Sequence, residues 1–132
     1  MDSIARRRIL DTRVDATSYE DATKRVIHWA KNRESRYVCV TSVHGVIEAH
    51  DNPTLRPVWD KSDLNTPDGM PLVWGLRALG VPEARRVYGP TLVLHVCRAA
   101  AQEGLPIGLY GSTPETLDEF SSFLERSFPG ID

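Results

Sequence analysis

Short, nearly continuous apolar runs alternate along this chain with longer stretches whose apolar residues recur every three or four positions. That alternation limits the fold more than any other feature. Tyr37-Val38-Cys39-Val40-Thr41 is such a run, suited to a strand covered on both faces. Ser62 to Pro67 and Pro106 to Gly111 read as two more strands. Ile9 to Val14 alternates apolar and charged residues, the pattern of a strand near a sheet edge. Tyr19, Ala22, Val26, Trp29 and Ala30 share one helical face that runs to about Asn32. Ser18 with Asp21 three residues on has the spacing of a capping box at its start. Ser42-Val43-His44-Gly45 opens a short helix that closes near Asp51-Asn52-Pro53, and Thr54 to Lys61 adds one or two helical turns. Leu72, Val73, Leu76 and Leu79 mark a helix ended by Gly80 and Pro82. Arg86 to Pro90 reads as a weak strand or loop. From Thr91 another helix buries Leu92, Val93, Val96, Ala99 and Ala100, and Gly104 ends it. Leu117, Phe120, Leu124 and Phe128 form the stripe of a last helix, introduced by Ser112-Thr113-Pro114-Glu115 with a hydroxyl cap, a first-turn proline and an acid.

The expected fold is therefore α/β: one domain over residues 1–132, with a layered, mainly parallel, Rossmann-like sheet and helices on both faces. In such sheets, ligands collect where strand C-termini feed helix N-termini. At 132 residues there is room for one substantial core but not two. The balance of 16 Lys and Arg against 18 Asp and Glu gives no general attraction to nucleic acid. Arg6-Arg7-Arg8 reads as a solvated basic arm. No apolar run reaches the ~20 residues of a membrane span, and the first residues lack a signal-peptide core, so a cytoplasmic protein is expected. Cys39 and Cys97 stand apart in apolar settings and read as thiols. No Cys-x-x-Cys or His-x-x-x-His spacing points to a metal.

Four places could carry chemistry. In Asn65-Thr66-Pro67-Asp68-Gly69-Met70-Pro71-Leu72-Val73-Trp74, the carboxylate of Asp68 sits at a turn between strand and helix. It could cap the following helix, or face a cleft and accept a proton from a substrate hydroxyl, or do both. Thr41, Ser42 and His44 offer hydroxyls, backbone N–H groups and an imidazole at a strand end; a capping turn explains them equally. Arg86 is either a loop charge or a clamp for a carboxylate or pyrophosphate. Gly111 and Ser112 form either a tight strand-to-helix turn or a phosphate turn, though without a full Gly-x-Gly-x-x-Gly or a Walker lysine. There is no Gly-x-Ser-x-Gly elbow and no Asp-x-Asp pair for a metal-bound sugar nucleotide.

Taken in order, Thr41-Ser42-Val43-His44, Ser62 through Trp74, Arg86-Val87-Tyr88-Gly89 and Leu109-Tyr110-Gly111-Ser112-Thr113-Pro114 resemble the WecG/TagA/CpsF family of bacterial glycosyltransferases. The similarity runs from about Ile9 to the end and corresponds to the N-terminal half of family members. It implies inverting, metal-independent transfer of an N-acetylmannosamine-type or related sugar. The donor would be a nucleotide diphosphate sugar, with no other cofactor, and the acceptor a lipid-linked saccharide at the inner membrane face. The products would feed teichoic acid or exopolysaccharide synthesis. The resemblance assigns Asp68 as the base and Arg86 to the substrate's charged or polar groups. Many members carry Thr-x-Asn where this chain has Val40-Thr41-Ser42. A second reading, of another class, is a non-catalytic α/β remnant or nucleotide-sugar binding module. An open sheet edge would favour self-association.

Overall fold

A computed structural model describes residues 3–132. The stretch expected as a single first strand is a hairpin, β1 (Arg6–Ile9) and β2 (Thr12–Asp15), paired antiparallel with Ile9 opposite Thr12. Leu10 and Asp11 between them both lie in the left-handed region, at φ 47° and 68°. This is the geometry a two-residue hairpin loop needs to match the strand twist, and it breaks the expected strand in two. Arg6, Arg7 and Arg8 are thus strand residues rather than an arm.

Helix α1 (Tyr19–Lys31) starts as its sequence demands: Ser18 Oγ accepts from the Asp21 N–H at 3.0 Å. The Asp21 carboxylate, which would close the capping box, turns instead to Thr17 Oγ1 at 2.7 Å and Arg25 Nε at 2.9 Å. Strand β3 (Val38–Thr41) leads into α2 (Val43–Asp51), where Ser42 Oγ accepts from the Gly45 N–H at 3.1 Å. A 3-10 turn at Pro53–Leu55 and the short α3 (Arg56–Asp60) then deliver β4 (Leu64–Pro67), which is buried throughout. β3 and β4 pair in parallel, Val38 opposite Leu64 and Thr41 opposite Pro67, as a parallel α/β crossover requires. Three helices follow: α4 (Met70–Ala78), α5 (Gly89–Glu103) and α6 (Pro114–Ser127).

The class is mixed α/β, but among the described residues the ladders form two separate two-stranded sheets rather than one layered parallel sheet. The expected strand at Pro106–Gly111 forms no ladder among the described residues. The Ile107 N–H is taken by the Asp132 carbonyl at 2.7 Å. A groove of about 350 Å³, lined by Val38, Val40, Val93, Val96 and Leu109 among others, separates this segment from β3 and α5.

Apolar packing is divided among three clusters. Val14, Val73, Leu76, Val81 and Ala84 join the hairpin to α4. Ala22, Leu64, Val87 and Leu92 join α1, β4 and α5. Cys97, Leu124 and Phe128 hold α6 on α5. Each fully buried aliphatic side chain stabilises by about 1.5–3 kcal/mol relative to exposure. β4 is also fixed from its other side by a polar clasp. The fully buried Asp15 carboxylate accepts from the Asn65 backbone N–H at 2.7 Å and lies 3.1 Å from Arg13 Nε and 3.3 Å from Arg6 Nε. Asn65 Nδ2 donates to the Arg13 carbonyl at 2.9 Å. The strand that carries the candidate base to its position is therefore held by the β3 backbone on one side and by the side chains of the clasp on the other.

Candidate functional site

The chain leaves β4 at Pro67, and Asp68 follows at the C-terminal end of the parallel pair. Its backbone N–H donates to the Thr41 carbonyl at 2.9 Å, which extends the ladder by one bond and brings the ends of β3 and β4 together. The carboxylate does not cap α4, as one reading of the sequence expected. That helix has Gly69 at its N-cap and no side-chain cap. Instead, Asp68 Oδ2 accepts from the Gly89 N–H at 3.2 Å, at the start of α5. The positive end of that helix favours a carboxylate there.

Arg86 closes the other side. Its Nε donates to the Asp68 carbonyl at 3.0 Å, and its Nη2 lies 3.3 Å from Oδ1. The Asp68 side chain is 19% exposed and that of Arg86 is 44% exposed, so the pair opens to solvent on the guanidinium side. The guanidinium also lies over the Tyr88 ring, 4.6 Å from its centroid. The segment between Arg86 and α5 is pinned at three successive N–H groups: Val87 to the Pro67 carbonyl at 2.8 Å, Tyr88 to Tyr19 Oη at 3.0 Å, and Gly89 to Asp68. Tyr19 is itself stacked on His95, with ring centroids 5.0 Å apart.

This arrangement presents a carboxylate whose two oxygens are oriented by separate donors and retain lone pairs for a further proton. Beside it stands a guanidinium with N–H donors still facing solvent, suited to a phosphate or carboxylate oxygen. Gly89 suits the close approach, which a larger residue meets only if its neighbours give by a few tenths of an ångström. A Cβ there would lie 3.2 Å from Val40 Cγ1 and 3.4 Å from Asp68 Oδ2.

The other candidates are placed unevenly. Thr41 touches Asp68 through its carbonyl, while its buried hydroxyl donates to the Cys39 carbonyl at 3.2 Å. Ser42 is used as the α2 cap. His44 points outward, 81% exposed, with Nε2 3.0 Å from Glu48 Oε1 on the same helix face. Gly111 and Ser112 lie in an exposed turn with positive φ, 108° and 59°, ahead of the Thr113 cap of α6. Among the described residues no hydrogen bond or ion pair joins them to Asp68. The structure thus groups Asp68, Arg86 and Thr41, and leaves His44, Gly111 and Ser112 outside that cluster.

Gly89, Tyr88 and Tyr19 were not foreseen as site residues. Gly89-Pro90 carried a usable signal, since proline in a helix's first turn marks the start two residues before Thr91. Tyr19 carried none, because at helical spacing it reads as core.

Among the described residues, no group of three or more His, Cys, Asp and Glu side chains is placed to hold a metal ion. No helix there is long and apolar enough to cross a membrane. Among known proteins, the chain is 29% identical over 85 residues to the N-acetylglucosaminyldiphosphoundecaprenol N-acetyl-beta-D-mannosaminyltransferase of Bacillus spizizenii. The aligned part covers 64% of this chain and 33% of that protein, so the chain spans about a third of the relative's length. Residues 7–132 match the family described as Glycosyl transferase WecG/TagA/CpsF, nearly the whole of the chain. From this match, the protein belongs to the WecG/TagA/CpsF family of glycosyltransferases.

Proposed function

We propose that this chain supplies the acceptor-activating part of a glycosyltransferase that moves an N-acetylmannosamine-type sugar from a nucleotide diphosphate donor to a lipid-linked saccharide. The observation that carries the reading is the Asp68 carboxylate, fixed at a strand end by the Gly89 N–H and Arg86 while its side chain still reaches solvent. An acceptor hydroxyl placed on that carboxylate loses its proton to Asp68 as its oxygen attacks the anomeric carbon. The bond to the nucleotide diphosphate breaks on the opposite face, which gives inversion. Arg86 stands where its free donors can meet a phosphate oxygen or a polar group of the sugar. Thr41 contributes by fixing the Asp68 backbone. Ser42, His44, Gly111 and Ser112 are left with more distant contacts to substrate.

The test is transfer of nucleotide-linked N-acetylmannosamine to a lipid-diphosphate N-acetylglucosamine acceptor by the intact protein and by Asp68→Asn. Loss of a general base lowers turnover by about 10²–10⁴-fold. A variant that folds and turns over at the parent rate overturns the assignment of Asp68.

A second reading rests on a separate observation. The Gly111–Ser112 turn is exposed, and among the described residues no hydrogen bond or ion pair joins it to Asp68. On that reading the chain is a non-catalytic remnant without a donor site. Titration calorimetry with nucleoside diphosphates and sugar nucleotides separates the two, because micromolar donor binding counts against the remnant.

A further inference from the structure

Packing does not account for the phenol oxygen of Tyr19. The residue opens α1, where the Ser18 cap fixes its backbone. Its half-buried ring packs against the cluster of Ala22, Leu64, Val87 and Leu92 and stacks on His95, with 13° between the ring planes. A phenylalanine would fill the same space. The oxygen goes further and accepts from the Tyr88 N–H at 3.0 Å, which has no other acceptor among the described residues. That bond falls where it governs the aim of its neighbour. Tyr88 stands between two rigid peptide planes. The first carries its own N–H, held by Tyr19. The second carries the Gly89 N–H, which meets Asp68 Oδ2 at 3.2 Å, and the Tyr88 carbonyl, which accepts from the Leu92 N–H at 2.9 Å. Tyr88 lies at φ −74° and ψ 125°, so the direction of the Gly89 N–H follows from the plane that Tyr19 holds.

We propose that Tyr19 is a positioning residue: its hydroxyl sets the Val87–Tyr88 peptide plane, which aims the Gly89 N–H at Asp68 and so orients the carboxylate toward the acceptor. It acts through Tyr88 and Gly89 rather than on substrate. This deepens the reading of Asp68 as the base of a glycosyltransferase and rests on it. Helix α1, which carries none of the residues that face the substrate, thereby becomes part of the site.

Tyr19→Phe in the intact protein removes the oxygen and keeps the ring. Amide hydrogen exchange followed by NMR reads the geometry without substrate. Exchange at Tyr88 and at Gly89 should quicken by about tenfold, while Val87 and the amides of α1 keep their protection. Turnover is read as transfer of nucleotide-linked N-acetylmannosamine to a lipid-diphosphate N-acetylglucosamine acceptor. There kcat should fall by about tenfold with KM for both substrates within about twofold, since displacements below about 1 Å are felt at a reacting centre. Beside Asp68→Asn, Tyr19→Phe should lower kcat no further, because its effect passes through the carboxylate. Trp29→Phe is the packing control. It thins the same cluster from the other end of α1, and its side chain makes no hydrogen bond to Arg86, Val87, Tyr88 or Gly89 among the described residues. It should lower the melting temperature and leave kcat at the parent value. The proposal is overturned by Gly89 exchange that Tyr19→Phe leaves unchanged, by a loss in kcat that persists in full beside Asp68→Asn, or by an equal loss in Trp29→Phe. If the intact protein transfers to no acceptor, the transferase reading fails, and exchange at Gly89 alone decides whether Tyr19 aims that N–H.

Discussion

At the scale of single residues, Asp68 shows how far a local pattern reaches. A carboxylate at a strand-to-helix turn was legible as both cap and base, but the helix it binds is not the one that follows it. Sequence spacing shows only neighbours within about a turn, whereas the Gly89 N–H arrives from 21 residues further on. Gly89→Ala would force the start of α5 back by a few tenths of an ångström against Val40 Cγ1. We expect its turnover to fall about tenfold with little change in melting temperature, since positioning errors smaller than about 1 Å already matter at a reacting centre. Asp21 makes a prediction in pH. Burial pushes its carboxyl up, but hydrogen bonds from Arg25 and Thr17 and the Arg25 and Lys24 charges outweigh this and hold it below the ordinary 3.8. A carboxyl lowered on folding contributes stability that is present above its unfolded value and is lost as pH falls through its folded one. The difference in urea midpoint between the parent and Asp21→Asn should therefore be seen at neutral pH and shrink as pH falls below the ordinary carboxylate range. A difference that persists in acid would assign the loss to the hydrogen bonds rather than the charge.

Among the elements, helices were legible and strand pairing was not, for one physical reason. A helix closes its hydrogen bonds within four residues, so caps such as Ser18, Ser42 and Thr113 announce it locally. A strand needs a partner that its own sequence does not name. Pro106 to Gly111 has the apolar run of a strand, yet Ile107 gives its N–H to Asp132 and no ladder forms among the described residues. The hairpin was hidden because Leu10-Asp11 is a poor advertisement for a two-residue turn, with neither residue a glycine or asparagine. Both lie at positive φ, which strains Leu10 in particular. Introducing the asparagine-glycine pair that such turns favour, as the double variant Leu10→Asn with Asp11→Gly, should stabilise the protein by about 1 kcal/mol. The gain would be read as a higher urea midpoint at unchanged slope. No gain would mean that the Arg56 contact to Asp11, at 3.7 Å, compensates for the strain.

For the molecule as a whole, the clasp around Asp15 is the feature that joins the parts. It ties the hairpin to β4, and its members Arg6, Arg13, Asp15 and Asn65 come from opposite ends of the first half of the chain. Nothing in the pattern of any one segment predicted it. Asp15→Ala would leave two arginines beside a lost carboxylate and the Asn65 N–H without an acceptor. Breaking a buried pair in this way costs about 3–5 kcal/mol, so chemical unfolding should show a large fall in midpoint; a fall under about 1 kcal/mol would mean water replaces the carboxylate. The clasp has a second consequence. Because a side chain occupies the outward N–H of Asn65, β4 cannot accept another strand at that point, while among the described residues β3 keeps its far edge unladdered along the groove beside Val38 and Val40. The parallel pair therefore has a polarity of growth. A strand added to the pair would find an open edge beside Val40 on the β3 side and an occupied N–H on the β4 side.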